Sequence, residues 1–380
     1  MKYALTQATL FDGEKIISDH ALILEGNQIE SIVPETKLPS HVTCYAMPGQ
    51  LIAPAFIDLQ LNGCGGVMFN GSVSEKTLET MHQANLKSGT TTFLPTLITT
   101  SQDEMNLAFT VASNYRSQYP YRLPGLHLEG PFISTAKKGI HTESFIRPLT
   151  DEDVKLLIKH ANEITLLTVA PENASPEQIK ELSQNGIRVS LGHSNASYEQ
   201  TQAAFNAGAK YATHVYNAMS GLKGREPGVL GAIFDSKNIY GGIIVDGLHI
   251  DYACVRIAKK LLKEHLYLIT DATAAAGSDI HEFEFVGRTI HVENGHCIGT
   301  DGTLGGSMLT MNEAVRNCIQ HVGIEKEEVL RMASLYPARA IGLDNQLGTI
   351  ARGFIANLVL LDPQYNVTSV IEAGELIRFE

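Results

Sequence analysis

Arg188-Val189-Ser190-Leu191-Gly192-His193-Ser194-Asn195-Ala196-Ser197-Tyr198-Glu199-Gln200 is the stretch on which the fold turns. It begins as a short, β-rich run and ends on His193, where an apolar strand should simply stop. Ser197-x-x-Gln200 then reads as a capping box, in which two side chains satisfy each other's backbone N–H groups at a helix start. Gly208 sits where that helix would end, and a second β-rich run over 211–217 closes on polar residues that include His214. Strand, helix and strand in such close succession spell a βαβ unit.

The same pattern extends outward in both directions. Apolar, β-rich segments recur at 51–62, 90–98, 122–130, 164–171, 240–248 and 266–272, which with the first two makes eight. Ser101-x-x-Glu104 and Ser175-x-x-Gln178, the latter with Pro176 at the first helical position, supply further helix starts, and Gly186 a further helix end. Eight strand–helix units predict an α/β protein with a (β/α)8 TIM-type barrel, a doubly wound sheet being the alternative. The ends read differently. Phe11-Asp12-Gly13 and Glu25-Gly26-Asn27 punctuate short strands near the start, and strands recur after Gly348 at 356–361 and 367–371. We therefore expect a small β-sandwich domain from residues 1–53 plus 348–380, and a catalytic barrel over 54–347.

Composition narrows the class. The 380 residues are 44% hydrophobic and 18% charged, with 33 glycines and 14 prolines, which fits a globular chain rather than a disordered or collagen-like one. The formal charge of −12 argues against nucleic acid and anionic membrane as partners. The longest apolar runs, such as 51–57, fall far short of a membrane span of roughly 18 residues, and MKYALTQATLFDG has no signal-peptide core. Five scattered cysteines without a CxxC suit reduced thiols in a cytoplasm.

The strand ends carry the chemistry. Gln60 and Asn62 end the first strand, Glu129 the third, His193 the fifth, His214 the sixth and Asp271 the eighth, while His249 follows the seventh. In a barrel these ends converge on one mouth, where the active site of this fold lies. A lone histidine at such a place is usually structural. Four strand ends delivering Glu, His, His and Asp to one face are hard to call accidental. Two imidazoles and a carboxylate make a His2Glu set that leaves a fourth position for water, and Asp271 is placed to take that water's proton and return it to a leaving nitrogen.

Several longer motifs point the same way. Leu51-Ile52-Ala53-Pro54-Ala55-Phe56-Ile57-Asp58 resembles the first barrel strand of the amidohydrolase superfamily, although Gln60-Leu61-Asn62 stands where a His-x-His pair is usual. Gly63-Cys64-Gly65-Gly66, His127-Leu128-Glu129-Gly130-Pro131, Gly192-His193-Ser194-Asn195-Ala196, Thr213-His214-Val215-Tyr216-Asn217-Ala218-Met219, Asp246-Gly247-Leu248-His249 and Thr270-Asp271-Ala272 are similar to motifs of the N-acetylglucosamine-6-phosphate deacetylase family within it. The resemblance implies a hydrolase that cuts N-acetyl-D-glucosamine 6-phosphate to D-glucosamine 6-phosphate and acetate, in amino-sugar catabolism or cell-wall amino-sugar recycling. It implies one divalent metal per chain on Glu129, His193 and His214, zinc first, with iron, manganese, cobalt or nickel as alternatives. It makes Asp271 the general base and then acid, activating a metal-held water, with His141 beside it. Asn217, Ala218, Arg225, His249, Gln60 and the Leu304-Gly305-Gly306 loop fall on substrate-contacting positions. A cytoplasmic homodimer or homotetramer is the implied assembly. Loss of both first-strand histidines argues for a single metal, because amides are weak zinc ligands beside imidazole.

Each residue also has a plainer reading. Arg225, in the loop Lys223-Gly224-Arg225-Glu226-Pro227-Gly228, is either a solvated charge or a phosphate clamp; guanidinium offers phosphate a planar fork. Backbone N–H groups of Asn217 and Ala218 would join that clamp. His141 is either an exposed loop residue or an oxyanion donor. Asp246 and Asp251 beside His249 are alternative helix caps. His127 shares a strand face with Glu129 and is either a support for the metal or a core histidine. Arg122 reads as a solvated charge, and Gly63-Cys64-Gly65-Gly66 as a tight turn, not a phosphate loop. Competing functions are a cyclic-amide hydrolase or deaminase, which usually retain His-x-His, and a catalytically silent binding barrel, which should have lost ligands.

Overall fold

The computed structural model describes residues 2–379. Eight strands run parallel, each beside its neighbour in the chain: β1 (Phe56–Leu61), β2 (Thr90–Ile98), β3 (Leu126–Glu129), β4 (Ile164–Val169), β5 (Arg188–Leu191), β6 (Tyr211–Ala212), β7 (Tyr240–Ile244) and β8 (Leu266–Ile269). Strands covered on both faces are largely apolar, and every residue of β1, β2, β3, β4 and β8 is buried, the polar exceptions such as Asp58, Gln60 and Glu129 included. The ring closes just past β8. Asp271 donates its N–H to the Gln60 carbonyl at 3.0 Å, and Asn62 donates to Ala272 at 2.9 Å. Lower on β1, the buried Asp58 carboxylate accepts the backbone N–H and the hydroxyl of Thr270 across the same seam. The architecture is the expected TIM-type barrel.

Helices α1 (Glu75–Leu86), α2 (Gln102–Gln118), α3 (Asp151–Lys159), α4 (Pro176–Gln184), α5 (Tyr198–Ala207), α6 (Gly228–Asp235) and α7 (Tyr252–Leu262) pack around it. Ser175 with Gln178, and Ser197 with Gln200, form the reciprocal capping boxes foreseen at the starts of α4 and α5. Ser101 caps α2 alone. Glu104 turns away to the N–H of Gly71 and the hydroxyl of Thr100, so the predicted box is half made.

The first strand also differs from expectation. The segment 51–62 is two strands: Leu51–Pro54 pairs antiparallel with Leu358–Leu361, and only Phe56–Leu61 enters the barrel. Ala55 marks the change, giving its N–H to Asn357. Leu51–Pro54 belongs to a six-stranded sheet with Thr9–Phe11, Ile16–Ile17, Leu358–Leu361, Val367–Glu372 and Glu375–Arg378. A four-stranded sheet of Lys2–Thr6, His20–Glu25, Gln28–Pro34 and Thr43–Ala46 faces it. Leu5, Leu10, Leu22, Leu24, Ile52, Leu358 and Ile371 fill the space between them. Both chain ends thus build one small β-sandwich.

Two features went unforeseen. After β8 the chain makes an antiparallel three-stranded sheet, Glu282–Phe285, Arg288–Glu293 and His296–Gly299. Its turns, Val286-Gly287 and Asn294-Gly295, have both residues at positive φ, as two-residue type I′ hairpins require. Phe283, Phe285 and Ile290 pack on Met68, Ile98 and Ile140 beside the barrel mouth. The second feature corrects the reading of Arg122 as a solvated charge. Its guanidinium makes two hydrogen bonds to Glu372 of the sandwich, at 2.8 and 2.9 Å, and one to Glu79 of α1 at 3.1 Å.

Candidate metal and active site

Glu129 ends β3, while His193, His214 and Asp271 each lie two residues beyond β5, β6 and β8. All three of the latter have positive φ, at 48°, 31° and 51°. Each such residue costs on the order of 1–3 kcal/mol, a cost that concentrates at functional sites. The left-handed step turns each chain out of its strand and brings these residues to one cavity.

Glu129 Oε1, His193 Nε2 and His214 Nε2 form a triangle with 3.0 Å sides. Among the described residues this is the one group of three or more such side chains whose ligand atoms converge. His193 Nδ1 lies 2.8 Å from the Lys137 carbonyl, which can only accept, so Nδ1 donates there and Nε2 is the atom turned toward Glu129 and His214. Three nitrogen and oxygen ligand atoms so close together can share one cation. Tetrahedral zinc with bonds of about 2.0–2.1 Å would space its ligands by roughly 3.3 Å, close to what is seen. Although burial opposes it, hydrogen bonds and charge from the two imidazoles hold Glu129 well below its usual range. The donor set fits a single divalent metal.

The first-strand amides behave differently from ligands. Gln60 Nε2 donates to Glu129 at 3.2 and 3.3 Å and to Asp271 Oδ1 at 3.0 Å, and Asn62 Nδ2 donates to the same Oδ1 at 2.7 Å. Gln60 therefore lies behind the two carboxylates, and it does not line the cavity. Burial, reinforced by the Glu129 charge, pushes Asp271 up to about 6. Its Oδ2 has no partner among the described residues.

The cavity above these groups has a volume of about 420 Å³. His141, Asn217, Ala218, His249, Leu304 and Gly306 line it. Gly305 is tied back through its N–H to Cys297 at 2.9 Å. His141 is buried; its Nδ1 accepts the Thr99 backbone N–H at 3.4 Å and lies 2.8 Å from the Thr99 hydroxyl, which leaves the proton on Nε2. Burial holds this imidazole well below its ordinary value, hence neutral. Asn217 spends its backbone N–H on the His214 carbonyl at 2.8 Å, contrary to the expected backbone contact with phosphate. Its side-chain Nδ2 is instead a buried donor without a partner. His249 pairs with Asp246 at 2.6 Å; burial lowers it, but the Asp246 bond and charge prevail and raise it.

Arg225 stands apart from these. It is exposed and lines a neighbouring cavity of about 530 Å³ with Lys223 and Ser197. His127 proves to be a satisfied core histidine, hydrogen-bonded to Thr168 at 2.7 Å and Thr96 at 3.3 Å, and burial lowers it to about 4. Cys64 is buried with its thiol pushed up to about 12, as a turn residue rather than a nucleophile would be. Sequence reasoning overlooked Thr99, Phe285, Thr303 and Lys137. Only the Asn-Gly and Val-Gly hairpin punctuation around 286–295 pointed toward the lining strands.

The amidohydrolase family matches residues 51–377, and the NagA composite domain matches residues 2–52. An N-acetylglucosamine-6-phosphate deacetylase of Haemophilus influenzae is 43% identical over 99% of both chains. The crystal structure of an N-acetylglucosamine-6-phosphate deacetylase from Pasteurella multocida, 46% identical, superposes over 100% of both chains with a TM-score of 0.98. A Mycobacterium smegmatis N-acetyl-D-glucosamine-6-phosphate deacetylase mutant, solved with N-acetyl-D-glucosamine-6-phosphate, is 28% identical over 100% of both chains, with a TM-score of 0.92.

Proposed function

This chain belongs to the amidohydrolase family, and from that premise we propose that it hydrolyses N-acetyl-D-glucosamine 6-phosphate to D-glucosamine 6-phosphate and acetate. The observation that carries the reading is the triangle of Glu129, His193 and His214 with the open Asp271 carboxylate beside it, in one cavity. Glu129, His193 and His214 would hold a divalent metal, zinc being the first candidate, which would supply Lewis acidity toward the acetyl carbonyl and water. Asp271 Oδ2 takes the proton of the attacking water and delivers it to the departing amine nitrogen, while Gln60 and Asn62 hold Oδ1 still. His141 Nε2–H donates to the acetyl oxygen as charge develops on it. The unpartnered Asn217 amide, the Ala218 backbone and His249 hold the sugar phosphate, with the Leu304-Gly305-Gly306 loop closing one side. Arg225 would reach the phosphate from the adjoining cavity.

The assembly we propose is a homodimer or a tetramer built from it. Leu222, Leu248, Ile257 and Leu261 are exposed around α6 and α7 and would be covered by a second copy. A cytoplasmic setting suits the five free cysteines, and no helix among the described residues is long and apolar enough to cross a membrane. Residues 1–53 with 348–380, and 54–347, are our proposed domains. Acetate and amine release from N-acetylglucosamine 6-phosphate, with metal, after chelation and after reloading, tests the activity. Equal turnover in all three preparations, or none in the reloaded one, overturns it. The same assay on the galactosamine and mannosamine epimers sets its breadth.

A further inference from the structure

We propose that Lys137 selects the phosphorylated substrate by placing its ammonium against the phosphate, a role that rests on the sugar-phosphate reading above. The cavity carries two carboxylates, Glu129 and Asp271, in a chain of net charge −12. A dianionic phosphate entering there needs a cation near it. Of the charged side chains lining the cavity, Lys137 is the only lysine or arginine; the remaining basic groups are the four histidines His141, His193, His214 and His249. His193 and His214 face the metal position, His141 is held through Nδ1 by Thr99, and His249 is already paired with Asp246.

Lys137 also lines the cavity that holds Arg225, so it stands where the two spaces meet. Among the described residues it makes no ion pair, whereas its neighbour Lys138 is bound to Glu143 at 2.7 Å and Lys223 to Glu226 at 3.0 Å. Its backbone is fixed on both sides. Lys137 donates its N–H to Ser134 at 3.0 Å and accepts from His193 Nδ1, while Ser134 donates to the His193 carbonyl at 2.8 Å. Gly139 at φ +55° lets the loop turn beside the His193 ring, where an added Cβ would sit 3.7 Å from the ring. The loop that sets the proton on His193 therefore also carries the charge, and the four-carbon stem brings the ammonium to the phosphate as a compact point charge.

The test compares Lys137→Met, Lys137→Arg and Lys138→Met in the full-length, metal-loaded protein. The readouts are kcat/KM on N-acetylglucosamine 6-phosphate and on N-acetylglucosamine, and the affinity for glucosamine 6-phosphate by calorimetry at low and high salt. In Lys137→Met the phosphorylated-to-unphosphorylated ratio should fall by on the order of 10–100-fold, the scale of one charged hydrogen bond. Glucosamine 6-phosphate should bind correspondingly more weakly and with less salt dependence. Lys137→Arg should recover most of the ratio, and Lys138→Met should match the wild type. Metal content should be unchanged, because His193 is held by the backbone carbonyl. A ratio and a product affinity within twofold of wild type in Lys137→Met would overturn the proposal, as would equal losses on both sugars. Wild-type protein that ignores the phosphate in turnover would instead sink the functional reading. Calorimetry then still judges Lys137: weaker product binding in Lys137→Met than in the wild type supports it, and equal binding in the two, or none detectable in the wild type, overturns it.

Discussion

Asp271 presents its two oxygens to different surroundings. Oδ1 is held by the amides of Gln60 and Asn62, and Oδ2 is left for a proton in transit. Asp271→Asn keeps size and shape but cannot accept that proton, so kcat should drop by on the order of 10²–10⁴. Metal content and substrate affinity should stay close to wild type, since Glu129, His193 and His214 are untouched. A purely structural Asp271 would lose metal or stability while the metallated fraction kept its kcat, so all three quantities should be read from one preparation. The same amides set the metal count. Both point N–H groups at carboxylates, and a second cation would meet hydrogens where it needs lone pairs. Elemental analysis after dialysis should find one tightly held divalent ion per chain, and its removal should lower Tm, because a ligand bound only by the folded state stabilises it. Two retained equivalents that both affect rate would contradict this.

At the level of elements, helix starts and strand ends were open to reading because their signals are local. Ser175 and Ser197 sit three residues from their partners, and a histidine ending an apolar run is visible without knowing the fold. The split of 51–62 was not, since nothing in Pro54-Ala55-Phe56 reveals that the strand before it pairs with Leu358–Leu361, some three hundred residues away. The Glu282–Gly299 sheet had both alternation and turn residues and could have been found. Asp58 shows what the seam between β1 and β8 requires. Burial, only partly offset by Thr270 and Gln60, pushes its carboxyl up to about 7 from an ordinary 3.8. Between pH 4 and 7 the folded chain keeps a proton that the unfolded chain has released. Stability should therefore fall as pH rises through that window, by up to about 4 kcal/mol from this group, and level off above it. Asp58→Asn should flatten that slope in denaturant unfolding measured from pH 4.5 to 8. An unchanged slope would mean that Asp58 is ionised in the fold.

Across the whole molecule, barrel and sandwich are joined by charge as well as by apolar contact. Arg122 precedes β3 of the barrel, Glu372 ends a sandwich strand, and they are 250 residues apart in sequence, which is why Arg122 read as a solvated charge. The fully buried His82 of α1 lies 2.8 Å from the same Glu372 carboxylate, and Tyr115 of α2 donates to Glu79 at 2.8 Å. Burial would raise Glu372, yet hydrogen bonds and charge from His82 and Arg122 prevail and hold it below its ordinary value. Arg122→Met takes one of two partners from a buried carboxylate; loss of a sole partner typically costs about 3–5 kcal/mol, and with His82 still in place the cost should fall below that. Replacing both members, Arg122→Met with Glu372→Met, should cost less than the two single changes together, because neither charge is then left alone. The pH dependence has a definite sign. A depressed carboxylate contributes stability above its unfolded pKa of about 4.3 and loses it as pH falls through the lower folded value. The deficit of Arg122→Met should therefore be largest near neutral pH and shrink on acidification below about 4. Calorimetric unfolding of the single and double variants across that range measures it, and an Arg122→Met protein as stable as wild type at pH 7 would show that apolar packing alone holds the two parts together.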